Sequence, residues 1–347
     1  MVSKSTRIVD DWHPSGWRPL PLPLLLPLPL QLPPAACQRA KCCPFLEPAP
    51  QFAPRRPRMD STLPQIPLVE HYNPKFAHQL ARVLAPVVRV WFRFELRGVE
   101  RLPAGQPVLL VGNHSAWGTA ELLCLLVGWL QGVGDKRRVN GLMHDVTFTT
   151  PLVGPFYRGL GAIGATAANA CSALDAGHDV LVYPGGDLDA CRPFYQPRAV
   201  HFGTRRGYIR LALQTGVPVC PLATIGSHYS WLMAPGGALF SKWFGLKQRL
   251  RSERIPLPFE WLTLLIAVPA WLFGLVPLWA FALIAVLALV PTPARITTQV
   301  LPPIDLQAAT AELSDPEAKV ERAHQIVYGA LADAVARMEH GRPLSLR

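Results

Sequence analysis

Asn113-His114-Ser115 closes an apolar run, Pro107-Val108-Leu109-Leu110-Val111-Gly112, and a carboxylate, Glu121, follows seven residues after the histidine. An imidazole takes up a proton near neutral pH without large tuning, so His114 suits a general base. A strand that stops at a histidine presents it at the carboxyl edge of a sheet, where ligands collect in open α/β folds. Whether His114 and Glu121 form one acid/base unit decides the function.

The elements that must position this pair follow from the apolar pattern. Strands are predicted over 108–112, 179–183, 217–225 and 295–301. Helices are predicted over 119–130, 167–176 and 201–215. A last helix opens at Ser314-Asp315-Pro316-Glu317, a capping-box spacing with an early proline, and shows Val320, Val327, Leu331 and Val335 on one face. This alternation predicts an α/β fold: a single layered domain over 59–340, with a mainly parallel sheet flanked by helices.

Two segments depart from that alternation. Residues 74–97 read as an amphipathic helix, with Phe76, Leu80, Val83, Leu84, Val87, Val88 and Trp91 on one side and Arg82, Arg89 and Arg93 on the other. Such a helix lies either on a membrane or on the core. Within an apolar insertion over 256–292, residues 261–290 carry no charge, more than the roughly 20 residues a span needs. Because the strand at 295–301 must rejoin the sheet, both ends of the insertion lie on one side. Pro269, Gly274 and Pro277 interrupt it. A re-entrant or surface-lying helical hairpin is therefore expected; a single span or a buried helix pair are the alternatives.

Composition sets the environment. The 347 residues carry a formal charge of +11, yet half are hydrophobic and 16% charged. Nucleic-acid binders place basic stripes on a polar background, and no such motif is present. An apolar, basic chain fits an anionic membrane surface, so membrane lipids rather than nucleic acid are the expected partners, at the cytoplasmic face. Seven dispersed cysteines form no CxxC pair and no metal-ligand spacing, which fits a reducing compartment and no metal. Residues 1–58 contain a Pro/Leu alternation, LPLPLLLPLPLQLPP, that opposes regular structure and reads as a disordered leader. A signal peptide is the competing reading, and Met59, after a basic run, offers another start. The sequence specifies no oligomeric state.

Four segments together resemble a known family. Asn113-His114-Ser115, the block over 151–170, Tyr183-Pro184-Gly185-Gly186-Asp187 and Val217-Pro218-Val219-Cys220-Pro221 stand in the order and spacing of the four blocks of the glycerolipid acyltransferase (PlsC-like, lysophospholipid acyltransferase) family, over about residues 85–306. The Pro-Gly-Gly form is similar to the diacylglycerol-acyltransferase and phytyl-ester-synthase branch. The resemblance implies transfer of a fatty acyl group from an acyl-thioester donor, acyl-CoA or acyl-ACP, to a hydroxyl of a glycerolipid or lysophospholipid, with no cofactor. His114 would be the base. The family's acid falls on Thr119, which cannot balance a charge, so Glu121 replaces it if Gly118 permits a longer turn. Otherwise Glu121 is a first-turn glutamate favoured by the helix dipole.

The resemblance also carries Asn113, Ser115, Arg158, Gly185, Gly186 and Asp187 as substrate-side residues. Arg192 is expected to meet a phosphate, and His228, at the end of a strand, to face the same edge. Amides of Gly185 and Gly186 would face a developing oxyanion. Asp189 and Arg198 read as a solvated loop. The family's second-block arginine falls on Ala167, and its third-block Glu and Arg fall on Gly185 and Leu188, which argues against a phosphorylated acceptor. A serine hydrolase would need G-x-S-x-G, which the chain lacks. The remaining rival is a catalytically inactive, lipid-binding homologue.

Overall fold

The computed structural model describes residues 71–114, 120–245 and 252–342. The expected 1–58 leader, the start of the 59–340 domain, and Ser115 lie outside them. Seven strands are present: β1 (Glu95–Arg97), β2 (Leu109–Gly112), β3 (Val139–Met143), β4 (Ile163–Gly164), β5 (Asp179–Val182), β6 (Val219–Ile225) and β7 (Thr297–Val300). They form one sheet in the order β1-β7-β6-β2-β5-β3-β4. Every neighbouring pair is parallel except β6 with β7. With helices on both faces, this is the α/β layered architecture that the alternation predicts.

β2 sits at the centre and is buried along its whole length. Successive side chains of a strand point to opposite faces. Leu109 and Val111 accordingly pack toward the helices Ala167–Asp175, Gly207–Thr215 and Pro316–His340, through Ala170, Ile209 and Leu331. Val108 and Leu110 face α2 (Ala120–Gly132), through Leu125 and Trp129. A sheet covered on both faces needs apolar residues at every position, which is why this strand reads as an unbroken run. Truncating Leu110 to alanine would cost about 2–5 kcal/mol.

Three expectations need correction. The 74–97 helix is α1 (Pro74–Val90), started by Asn73 Oδ1 accepting from the Phe76 N–H at 3.0 Å. The chain then turns through Arg93, with φ +40°, and enters β1, where pairing with β7 wins over helical period. Its inner face is Ala77, Ala81 and Val88, whose first two side chains allow close approach, while Val83, Val87 and Val90 point outward. The predicted 201–215 helix begins only at Gly207. The residues before it form a turn that places Arg205 against the Pro184-Gly185 turn.

The insertion is a pair of helices, Phe259–Leu272 and Leu278–Leu289, joined near Gly274 at φ +72°. Trp271 stacks on Phe281 with centroids 5.0 Å apart. Only Ala267 and Ala288 of these helices are buried. Trp91 Nε1 donates to the Pro291 carbonyl at 2.8 Å, tying the end of α1 to the base of the hairpin. Among the described residues no helix is long and apolar enough to cross a membrane.

Candidate active site

Because β6, β2 and β5 are mutually parallel neighbours, their carboxyl ends share one edge of the sheet. β2 delivers Asn113 and His114 there, β5 delivers Tyr183 to Gly186, and β6 delivers Ser227 and His228. The Asn113 side chain is fully buried and bridges to β6, accepting from the Thr224 N–H and donating to the Thr224 carbonyl, both at 2.8 Å. These two bonds extend the ladder by one residue and fix where His114 leaves the sheet. Asn113 thus positions the histidine rather than facing the open site.

Glu121 lies in the first turn of α2, 1% exposed, with its Oε2 at 3.5 Å from His114 Nδ1. That is a close charge contact, longer than a normal hydrogen bond. Ser227 Oγ donates to the same oxygen at 3.3 Å. The seven-residue gap in sequence therefore closes in space. The intervening residues 115–119 are outside the description, so the longer turn expected at Gly118 is too. His114 keeps 19% of its side chain open. It faces a cavity of about 1260 Å³ whose walls include Leu122, Leu126, Trp129, Leu142 and Tyr183. Ligand pockets are lined in this way, mainly by apolar and aromatic side chains with a few polar groups that fix orientation.

The main chain of His114 is clamped from the third block. Asp189 Oδ2 accepts the His114 N–H at 2.8 Å, and Arg192 Nη1 donates to the His114 carbonyl at 3.0 Å. Asp189 Oδ1 also accepts from the His201 N–H at 3.0 Å and from Arg192 at 3.2 Å. Arg192 Nε donates to the Gln196 carbonyl at 2.9 Å. Both side chains are buried, at 0% and 1% exposure. Burial pushes the Asp189 carboxyl up to about 6, against the opposing pull of Arg192 and of the N–H groups of His201 and His114. This corrects two expectations. Asp189 is not a solvated loop residue, and Arg192 is spent on the clamp rather than free for a phosphate. The neighbouring pattern Asp189-Ala190-Cys191-Arg192 offered no signal, since its partners lie far away in sequence.

The Gly-Gly turn has a steric reason. A Cβ on Gly185 would come within 2.5 Å of the His201 carbonyl oxygen, and one on Gly186 within 2.5 Å of Arg205 Nη1. Gly186 adopts φ +49°, in the region that favours glycine. Its N–H donates to the Tyr183 carbonyl at 3.1 Å, so it is not directed at an oxyanion as expected. Arg205 donates to the Pro184 and Gly185 carbonyls and pairs with Asp187 at 2.9 Å. Asp187 Oδ2 also accepts the Arg254 N–H at 2.8 Å, pinning the segment after residue 251 to this edge. His228 is buried and bonded to the Phe194 carbonyl at 3.2 Å. Arg158 lies over the Phe148 ring, 5.2 Å to its centroid, and is not part of the cavity wall. The structure thus gathers His114, Glu121, Gly185, Gly186 and Asp187 at one edge, gives Asn113, Arg192 and His228 buried structural bonds, and leaves Arg158 aside.

Residues 93–225 match the model of the Acyltransferase family. The chain is 30% identical over 177 residues to the uncharacterized protein Rv0502 of Mycobacterium tuberculosis, covering 51% of this chain and 48% of the relative. It is 27% identical over 169 residues to the "DGAT1/2-independent enzyme synthesizing storage lipids" of Gallus gallus, covering 49% and 48%. It is 26% identical over 140 residues to "Phytyl ester synthase 1, chloroplastic" of Arabidopsis thaliana, covering 38% and 19%. The chain thus spans about half the length, or less, of the curated relatives it matches. Among solved structures it is similar to the 1-acyl-sn-glycerophosphate acyltransferase PlsC of Thermotoga maritima, at 14% identity and a TM-score of 0.41, covering 74% of this chain and 79% of that one.

Proposed function

We propose that this protein is an O-acyltransferase that moves a fatty acyl group from a thioester to the hydroxyl of a lipid. The observation that carries this reading is the buried Glu121 against Nδ1 of a histidine whose ring opens onto a large, mainly apolar cavity. His114 Nε2 takes the acceptor's hydroxyl proton as the oxygen attacks the thioester carbonyl. Glu121 stabilises the imidazolium, which returns the proton to the departing thiolate. The products are an ester and a free thiol, with no covalent enzyme intermediate. The cavity takes the acyl chain, and the donor is acyl-CoA or acyl-ACP, with no cofactor required.

The cations beside His114 favour an acceptor without a phosphate near its hydroxyl. Arg192 is buried in its clamp and Arg205 is held by the turn carbonyls and Asp187. Arg192 is thereby taken up inside the protein, and the charge of Arg205 is matched by Asp187. The names of the chicken and Arabidopsis relatives, one a storage-lipid and the other a phytyl-ester enzyme, point the same way.

The exposed apolar hairpin and the outer side of α1 are the lipid-facing surface in this reading. Leu265, Ile266, Phe273, Leu275 and Trp279 are 70% or more exposed, and Arg82 and Arg89 border Val83 and Val87 on α1. Aromatic and aliphatic tips with flanking arginines suit an anionic bilayer interface, at the cytoplasmic face. The test is thioester consumption by the purified full chain with diacylglycerol, a long-chain alcohol, lysophosphatidic acid or no acceptor. Ester formation with the neutral alcohols, exceeding that with the phosphate acceptor, is expected. Lipid binding without ester formation from any acceptor would favour the inactive homologue instead.

A further inference from the structure

Tyr183 leaves β5 beside the reaction centre, and its ring lies against the His114 imidazole, centroids 4.9 Å apart and planes inclined by 33°. It fits there because residue 112 is glycine: a Cβ at Gly112 would come within 2.6 Å of Tyr183 Cε1. The end of the strand that carries His114 is thus shaped to take this ring. The Tyr183 hydroxyl is buried and meets no hydrogen-bond partner among the described residues. Buried hydroxyls are ordinarily paired, and an unpaired one costs stability that a phenylalanine would not. On the facing imidazole, Nδ1 is also buried and unbonded, in contact with Glu121 Oε2 only at 3.5 Å. Burial first, and then the Glu121 charge, raises the phenol well above its ordinary pKa, so it keeps its proton and lies in the field of that carboxylate.

We propose that Tyr183 is a positioning residue for the His114 base: its ring fixes the imidazole plane, and its hydroxyl donates to the Glu121 carboxylate as the pair tightens in the working site. To hold an imidazolium, the carboxylate must close from 3.5 Å to hydrogen-bond distance. A donor that anchors the carboxylate from another side fixes where it closes, and the nearby protonated phenol, with no other bond to break, is suited to that task. The kinetic part of this inference rests on the acyl-transfer reading above, and a spectroscopic part does not.

The test compares Tyr183→Phe with wild type in the full chain, alone and combined with Glu121→Gln, by kinetics and by ¹⁵N NMR of the His114 ring, assigned with His114→Ala. Tyr183→Phe removes only the unpaired hydroxyl, so it should melt at or above the wild-type temperature. Its kcat should fall about tenfold with KM within about twofold, and it should add no loss in the Glu121→Gln background. The His114 ring should show one dominant Nδ1–H tautomer in wild type and a mixture in Tyr183→Phe. Wild-type kcat in Tyr183→Phe, a loss that multiplies with Glu121→Gln, or a lowered melting temperature would overturn the proposal. If wild type transfers no acyl group to any acceptor, the acyl-transfer reading fails and the ring spectra decide: unchanged tautomers overturn this role, and a mixture upholds it.

Discussion

Replacing Asp189 by asparagine tests the clamp on His114 most sharply. One carboxylate oxygen accepts the His114 N–H at 2.8 Å, and the other accepts from His201 and Arg192 at 3.0 and 3.2 Å. An amide has a single acceptor oxygen. Turned toward Arg192 and His201, it sets its NH₂ against the His114 N–H, and turned the other way it leaves a buried guanidinium without a counter-charge. Breaking a buried pair costs about 3–5 kcal/mol, and the carbonyls that still accept from Arg192 place this variant near 3. With a urea slope of about 3 kcal/mol per molar, the unfolding midpoint should drop by about 1 M. Displacement of His114 should lower kcat about 10- to 100-fold.

The pH dependence of that variant has a definite sign. Burial raises the Asp189 carboxyl from its ordinary 3.8 to about 6 in the folded protein. The folded state therefore binds more protons across that window, and stability from this group falls as pH rises from 3.8 to 6 and is flat above. The fall is about 3 kcal/mol in the limit. The advantage of wild type over Asp189→Asn should shrink by up to that amount between pH 4 and 7. A midpoint within about 0.2 M of wild type at pH 7, with kcat unchanged, would refute the clamp.

Two further outcomes follow from the surface and the cavity. Leu275→Glu with Trp279→Glu changes side chains 77% and 72% exposed, so melting should move by no more than about 1 °C. Sedimentation with phosphatidylglycerol vesicles should be largely lost, and undiminished sedimentation would remove the hairpin from the lipid-facing surface. Ala162→Trp fills part of the cavity wall, and kcat/KM should fall at least about tenfold for a sixteen-carbon donor while an eight-carbon donor is spared. Equal loss for both lengths would place the acyl chain elsewhere.

Much of the scaffold was legible in the sequence because burial on both faces writes itself as unbroken apolar runs. The strands at Leu109–Gly112, Asp179–Val182 and Val219–Ile225, with the long C-terminal helix and its Asp315 cap, all stand where periodicity and capping place them. The short strands were not legible. β1, β3 and β4 hold two to five residues, with mixed burial, and exist because a neighbour offers a ladder. On α1 the packed side joins Ala77, Ala81 and Val88 to the half-buried Phe76, Leu80 and Leu84 of the expected apolar face, while Val83 and Val87 of that face point outward.

In the site, the strand-end histidine and the glycine turn could be read directly. Glu121 was readable only as a candidate, because seven residues of sequence do not state a distance. Arg192 was legible as a cation but not as a clamp, and neither Asp189 nor Tyr183 declared its contact with His114. Their roles come from groups brought in by parallel neighbours and by the loop at Gln196 and His201.

If His114 is the base for acyl transfer, its removal must stop the chemistry itself. Ester formed in a single turnover from a labelled acyl-thioester and a neutral lipid alcohol should be followed for wild type, His114→Ala and Glu121→Gln at matched folding. A loss of at least about 10²-fold is expected for His114→Ala, with Glu121→Gln between it and wild type. Wild-type rates in His114→Ala would contradict that role.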